Sequence, residues 1–123
     1  MRNEWSRSLR QKRFEAAIKA QKVASLETII RDLDAMAAAL SQQIAAEEER
    51  TKVRDAQRAD YSMVALAAAA RRRKLMVSLA DLMAALEAAK REHAAAAVET
   101  RDLESALQVP TQFQHGTKQS PTS

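Results

Sequence analysis

Few side chains in this sequence could carry out chemistry. The chain has no cysteine and two histidines, His93 and His115. His93 lies among alanines at a core position of a helical repeat, where a half-buried structural histidine is far more common than a catalytic or metal-binding one. The one glycine, Gly116, rules out a glycine-rich phosphate loop. We therefore predict no catalytic, cofactor-binding or metal-binding residues, and no enzymatic activity.

Two runs of charge could in principle bind an ion or an anionic partner. Residues 47–49 are three consecutive glutamates, but consecutive side chains point in different directions around a helix and cannot converge on one metal ion. Residues 71–74 are three arginines and a lysine, which could contact nucleic acid or anionic lipid. Such a run is more often a solvated surface and a charge partner within the protein, which is the interpretation we favour.

These residues belong to two long heptad patterns. Apolar side chains alternate at spacings of three and four, which predicts amphipathic helices that pack against a helical partner. A composition with one glycine, two prolines, 3% aromatic and 29% charged residues is also typical of a coiled coil. The first set of core positions is Val23, Leu26, Ile30, Leu33, Ala37, Leu40 and Ile44. The second set is Tyr61, Ala65, Ala68, Leu75, Leu79, Leu82, Leu86, Ala89, His93, Ala96, Thr100, Leu103 and Leu107.

Residues 1–22 also have a helical pattern, but with a different apolar stripe. Leu9, Phe14 and Ile18 do not share one heptad register with the core that starts at Val23. We therefore predict a phase slip within residues 19–22, where a supercoil would locally unwind.

Between the two heptad patterns the core positions become polar, at Glu47, Thr51, Arg54 and Arg58. This segment is either a turn between two antiparallel helices or part of one continuous helix that dimerises in parallel. Residues 1–23 carry seven basic and two acidic side chains, whereas residues 75–107 carry three basic and six acidic ones. An antiparallel hairpin that reverses near residue 56 places opposite charges together: segment 1–23 faces segment 87–104, and residues 71–74 face Asp32 and Asp34. The charge pattern favours the hairpin.

The predicted fold is therefore all-α, an antiparallel two-helix coiled-coil hairpin over residues 1–108. We expect the first helix at about residues 4–50, the turn at about 51–60 with Asp60 or Ser62 as the cap of the next helix, and the second helix at about 61–108. Pro110 would end that helix, and the polar residues 109–123 would form a disordered C-terminal tail. No stretch is apolar enough to predict a transmembrane segment or a signal peptide.

Several apolar residues lie outside the core positions. We expect Ile29, Met36, Met76 and Met83 to broaden the hairpin core. Trp5, Phe14 and Ile18 are harder to bury near a helix end, and such a patch usually marks a binding site for another protein.

Two segments resemble a known family. Residues 23–51, VASLETIIRDLDAMAAALSQQIAAEEERT, and residues 60–89, DYSMVALAAAARRRKLMVSLADLMAALEAA, are similar to the FliJ family of flagellar export proteins in its alphaproteobacterial form. The details that carry the resemblance are the LETIIRDLDAMA pattern, the EEER run, the Tyr61-Ser62 pair after a short polar gap, and the arginines before Leu75-Met76. The similarity covers about residues 8–107.

The resemblance implies an antiparallel coiled-coil rod, similar to the rotor stalk of rotary ATPases, in the flagellar type III protein export apparatus. Members of this family bind the export ATPase ring with the end that carries both termini, contact the cytoplasmic domain of the export gate, and in some cases bind export chaperones. The implied location is cytoplasmic, in peripheral association with the membrane complex at the flagellar basal body. For the ATPase we predict contacts from Arg2, Trp5, Arg7, Leu9, Arg10, Arg13 and Phe14. For the export gate we predict contacts from Arg72, Arg73, Leu75, Met76 and Met83.

Two other functions stay open at this point. The basic N-terminal segment before Leu26, Leu33 and Leu40 superficially resembles the basic region of a DNA-binding zipper dimer. A generic structural coiled coil or secretion chaperone would have the same periodicity. We favour a protein-binding role without nucleic acid; a flagellar and a virulence-type secretion system are not distinguished.

Overall fold

The fold is a helical hairpin. A computed structural model describes the backbone of residues 2–122 and the side chains of residues 3–108. Helix α1 is Arg2–Thr51 and helix α2 is Met63–Thr122, and the two pack against each other. The predicted antiparallel hairpin is confirmed. Helix α2 extends beyond residue 108, where Pro110 was expected to end it. The side chains of residues 109–123 lie outside the described part of the chain. None of the described helical segments is long and apolar enough to cross a membrane.

The core follows the heptad positions from the sequence. Every apolar residue predicted at a core position is buried or half-buried in the structure. The most completely buried are small, such as Ala65 at 0% exposure, and Leu79 at 3% is the bulkiest aliphatic side chain among the buried ones. Alanines at core positions allow two helices to approach closely, and leave little apolar area for each residue to bury. His93 is half-buried at its core position.

The predicted phase slip within residues 19–22 is wrong. Lys12, Ala16 and Lys19 are half-buried and continue the register of Val23 back to Leu9. Phe14 and Ile18 lie outside that register, and both are exposed. A lysine occupies a core position without a slip because its aliphatic stem covers apolar surface while its ammonium group reaches water or a carboxylate.

The chain divides into two compact units, and the first combines residues Met1–Ala24 with Ala88–Ser123. Ion pairs join its two helical segments, and their positions confirm that segment 1–23 faces segment 87–104. The pairs are Lys12–Glu99 at 3.0 Å, Arg13–Glu104 at 3.5 Å and Lys22–Glu92 at 3.9 Å. Buried Thr100 donates to the carbonyl of Ala96 at 2.9 Å and approaches the carbonyl of Lys12 at 3.4 Å.

The second unit is Ser25–Glu87 and contains the chain reversal. Its register differs from the prediction that residues 71–74 face Asp32 and Asp34. Arg72 instead donates to the Ser41 hydroxyl at 2.8 Å, two helical turns beyond Asp34. The reversal occupies residues 52–62, so its centre agrees with the predicted one near residue 56. A reversal at that point places residues 71–74 opposite residues 38–41, so the predicted pairing with Asp32 and Asp34 is a counting error and not a difference in loop position.

Helix α1 ends at a backbone conformation that is unusual for its residue. Lys52 has φ of 61°, in the left-handed region, and its amide donates to the Glu48 carbonyl at 2.8 Å. This geometry is the common left-handed cap of a helix C-terminus, which normally selects glycine. Two turns follow, in which the Arg58 amide donates to the Asp55 carbonyl at 3.1 Å and the Tyr61 amide to the Arg58 carbonyl at 3.2 Å.

Helix α2 begins at a cap that also connects the two helices. The Ser62 hydroxyl accepts from the Ala65 amide at 3.1 Å and donates to Glu47 Oε1 at 2.7 Å, so Ser62 rather than Asp60 is the N-cap. The Tyr61 hydroxyl donates to Glu48 Oε2 at 2.7 Å, and the Tyr61 ring packs with Val53 and Ala65. The loop is therefore fixed to both helices by hydrogen bonds and by a small apolar cluster.

Candidate partner-binding surfaces

The first candidate surface lies on the outer face of α1 in the first unit. Arg7, Arg10, Phe14 and Ile18 are all exposed there, and we call these four residues the outer strip. Their spacings of three, four and seven residues place them along one side of the helix. Phe14 is 66% exposed, so an aromatic ring stands in water beside two guanidinium groups. A surface of this kind suits an acidic partner that also offers an apolar pocket.

The structure does not bring all the predicted ATPase contacts onto this strip. Trp5 and Leu9 occupy heptad core positions, and nine residues separate Trp5 from Phe14, which places them on opposite sides of α1. Trp5 remains 42% exposed, whereas Leu9 is half-buried. Arg13 lies beside the core and pairs with Glu104. The side chain of Arg2 lies outside the described residues.

The predicted export-gate contacts also divide into inner and outer residues. Leu75 is a half-buried core residue, and Arg72 is half-buried with its guanidinium directed to Ser41. Arg73, Met76 and Met83 are exposed, and Met76 and Met83 share one side of α2 because they are seven residues apart. These three are the residues of the set that another protein could contact directly.

A third surface in the second unit was not predicted. A groove of about 540 Å³ runs between the two helices. Its floor is apolar, and two cationic side chains of α2 lie along its edge. The lining residues are Met36, Ala39, Leu40, Gln43, Arg71, Lys74, Leu75 and Ser78.

The groove exists because small side chains flank a large one. Met36 is 52% exposed, while Ala39 and Ser78 beside it are too short to fill the space between the helices. The prediction that Ile29, Met36, Met76 and Met83 broaden the core is therefore wrong, since all four are exposed. The small residues at positions flanking the core were visible in the sequence, but locating the groove required the helix register that Arg72 and Ser41 establish.

The three consecutive glutamates have separate partners. Glu47 accepts from Arg50 and Ser62, Glu48 from Tyr61, and Glu49 from Lys52 and Arg54. Hydrogen bonds from Arg50 and then Ser62 lower the pKa of Glu47 to about 2. The hydrogen bond to Glu48 is the main cause that raises the pKa of Tyr61.

Each of the three carboxylates therefore contacts a different part of the chain reversal. Within the described residues, no group of three or more acidic or histidine side chains is placed to hold a metal ion.

The described residues thus present exposed surfaces that a protein could contact. Comparison with known proteins adds no relative: the chain matches no family model, no curated protein and no solved structure. Three exposed surfaces bear on function, in addition to the sequence resemblance. Each consists of exposed apolar side chains next to basic ones, on helices whose opposite faces are covered.

Proposed function

We propose that this protein is a FliJ-like component of the flagellar type III protein export apparatus, which binds the export ATPase and couples it to the export gate. The proposal rests on the sequence resemblance over residues 8–107 together with the antiparallel hairpin that the resemblance implies. The first unit, which contains both chain termini, would contact the ATPase. The protein would act from the cytoplasm at the flagellar basal body, and would have no catalytic activity of its own.

Among the features of the structure, the exposed outer strip gives the proposal its most direct support. Phe14 is exposed on a helix whose core face is already covered, and an exposed aromatic side chain of this kind supports a role in binding another protein. The arginines beside it would steer the hairpin toward an acidic surface and fix its orientation, because complementary charge acts mainly on association rate and specificity. For the gate, the corresponding support comes from Arg73, Met76 and Met83, since methionine side chains adapt to varied partner surfaces.

The test is ATP hydrolysis by the purified export ATPase of the same organism, measured with increasing amounts of this protein. We expect saturable stimulation that Phe14→Ala and Arg10→Ala together weaken. Val98→Ala is the matched control, because Val98 is an exposed apolar residue of the same unit outside the outer strip. No binding and no stimulation, with an ATPase preparation shown to form hexamers, would refute the proposal.

Trp5→Ala requires a separate arm of this experiment. Trp5 lies at a core position, so its loss can act through packing against α2 as well as through a lost contact. A circular dichroism melt of each variant separates the two effects: reduced stimulation with an unchanged melt indicates a direct contact. A contact with the gate is tested by binding of its cytoplasmic domain to the Met76→Ala/Met83→Ala variant.

The DNA-binding alternative is disfavoured by the hairpin. A zipper dimer needs the heptad core of one chain to face the same core of a second chain. In this structure Leu26, Leu33 and Leu40 are half-buried within a hairpin formed by one chain. A secretion chaperone remains the second candidate, and binding to exported proteins without binding to the ATPase would favour it.

A further inference from the structure

The groove in the second unit has a charge distribution that is complementary to itself. Lys74 and Arg71 lie along one half of it. On α2, Asp81 lies seven residues after Lys74, and on α1, Asp32 lies seven residues before Ala39. Residues seven positions apart lie on the same side of a helix, so both aspartates extend the groove surface by one heptad. The surface is thus basic at one end and acidic at the other.

The helix register places the two aspartates at the same level. The hydrogen bond from Arg72 to Ser41 aligns these residues across the hairpin. Counting along antiparallel helices from this contact, Asp81 is level with Asp32, and Lys74 is level with Ala39. Met36 and Ser78 lie midway between the acidic and the basic ends. A partly exposed methionine therefore marks the centre of the surface.

We propose that a second copy of this chain occupies the groove, related by a two-fold axis that crosses the helices at the level of Met36. In this arrangement α2 packs antiparallel to α2 of the other copy. Lys74 of each copy meets Asp81 of the other, and Arg71 approaches Asp32. The two Met36 side chains meet at the axis and fill the space left by Ala39 and Ser78. Such a dimer has an isologous interface, in which the same patch on both subunits is complementary to itself.

The described contacts leave these charges available for the second copy. Arg71, Lys74, Asp32 and Asp81 are all exposed, and none of them forms an ion pair with another described residue. The apolar floor around Leu40 and Leu75 supplies the attraction, while the charges select the antiparallel register. A parallel arrangement of the two copies would place like charges together, which is unfavourable.

The experiment measures the oligomeric state of the full chain by sedimentation equilibrium at low salt over a range of micromolar concentrations. We expect a reversible dimer that weakens as salt is added. Lys74→Glu places two acidic side chains together at each end of the interface, and Asp81→Lys places two basic ones there. Each variant alone should dimerise at least about tenfold more weakly than the natural chain, because attraction becomes repulsion at two symmetric contacts.

Mixing the two variants distinguishes this interface from any other. A Lys74→Glu copy and an Asp81→Lys copy have opposite charges at both contacts, so heterodimers in the mixture should be tighter than the homodimers of either variant. The double variant Lys74→Glu/Asp81→Lys should also recover dimerisation. Arg73→Glu is the matched control, since it reverses a neighbouring charge that does not line the groove.

Three outcomes would overturn the proposal. A natural chain that stays monomeric at every concentration shows that the groove is not covered by a second copy, and leaves an acidic helix of another protein as the alternative occupant. A dimer whose affinity neither single reversal changes uses a different surface. Single variants that fail to recover on mixing, while their circular dichroism spectra remain those of the natural chain, would show that Lys74 and Asp81 do not face each other.

Discussion

Replacing Ser62 tests how strongly the cap of α2 holds the chain reversal. Ser62→Ala removes the acceptor of the Ala65 amide and one of the donors to Glu47. Ala65 is 0% exposed, so water cannot easily replace the lost acceptor. Loss of a serine N-cap costs about 1 kcal/mol, and a buried amide left without a partner costs about 1–3 kcal/mol. Because the two figures describe the same lost bond, we expect a loss of about 2 kcal/mol in the free energy of unfolding.

The assay is urea denaturation followed by circular dichroism at the helical minimum, with Ser25→Ala as the control. Ser25 is exposed in the interior of α1 and does not line the groove, so the same substitution there exchanges serine for a better helix former. The control should be neutral or stabilising by up to about 0.5 kcal/mol. If Ser62→Ala is no more destabilising than Ser25→Ala, the cap does not contribute what its geometry implies and does not hold the loop in place.

Three further predictions concern the core, the loop backbone and pH. Leu79→Ala should lower the free energy of unfolding by about 2–5 kcal/mol, because it leaves a cavity in the core. Val77→Ala, at an exposed position, should change it by less than about 0.5 kcal/mol. Equal effects of the two substitutions in urea titrations would contradict the assigned core. Lys52→Gly should raise the free energy of unfolding by about 1 kcal/mol, because glycine adopts the left-handed conformation without the strain of a side chain. An unchanged or lower urea midpoint would contradict the positive φ of Lys52. The pKa of Glu47 is lowered from 4.5 to about 2, so its ionised form stabilises the fold above pH 4.5 and this contribution is lost as pH falls toward 2. The difference in free energy of unfolding between the natural chain and Glu47→Gln should therefore be largest above pH 4.5 and should shrink in acid. A difference that stays constant from neutral pH down to pH 2 would show that the charge of Glu47 makes no such contribution.

The sequence was sufficient for the helices and for most of their core. Spacings of three and four identified residues such as Leu33 and Ala68, because a helical face can be deduced from periodicity alone. The polar side chains of Arg54 and Arg58 at core positions indicated an interruption of the core, which left a turn and a continuous helix both possible. Opposite charges on segments 1–23 and 87–104 then selected the antiparallel arrangement, and the ion pair between Lys12 and Glu99 is its direct result.

What the sequence could not supply depends on side-chain length and on register. The apolar stripe of Leu9, Phe14 and Ile18 suggested a phase slip, but Phe14 and Ile18 are exposed in the structure. Lys12 and Lys19 occupy the core positions instead, because their aliphatic stems cover apolar surface. The groove was missed because it depends on which residues of α1 and α2 lie at the same level. That alignment is determined by the loop length and by contacts such as Tyr61 with Glu48, which periodicity does not specify.

The hydrogen bonds at the chain reversal have a consequence for the order in which the hairpin forms. They join residues only 13 and 15 positions apart, whereas the contact between Lys12 and Glu99 joins residues 87 apart. Closing the longer loop first would cost roughly 1.5 kcal/mol more in chain entropy, so we expect folding to start at the reversal and proceed toward the termini. We then expect the segment that carries the outer strip to become ordered last and to exchange its amide hydrogens first. A partner that binds this segment would complete the fold, and part of its binding energy would be used to order the helix ends.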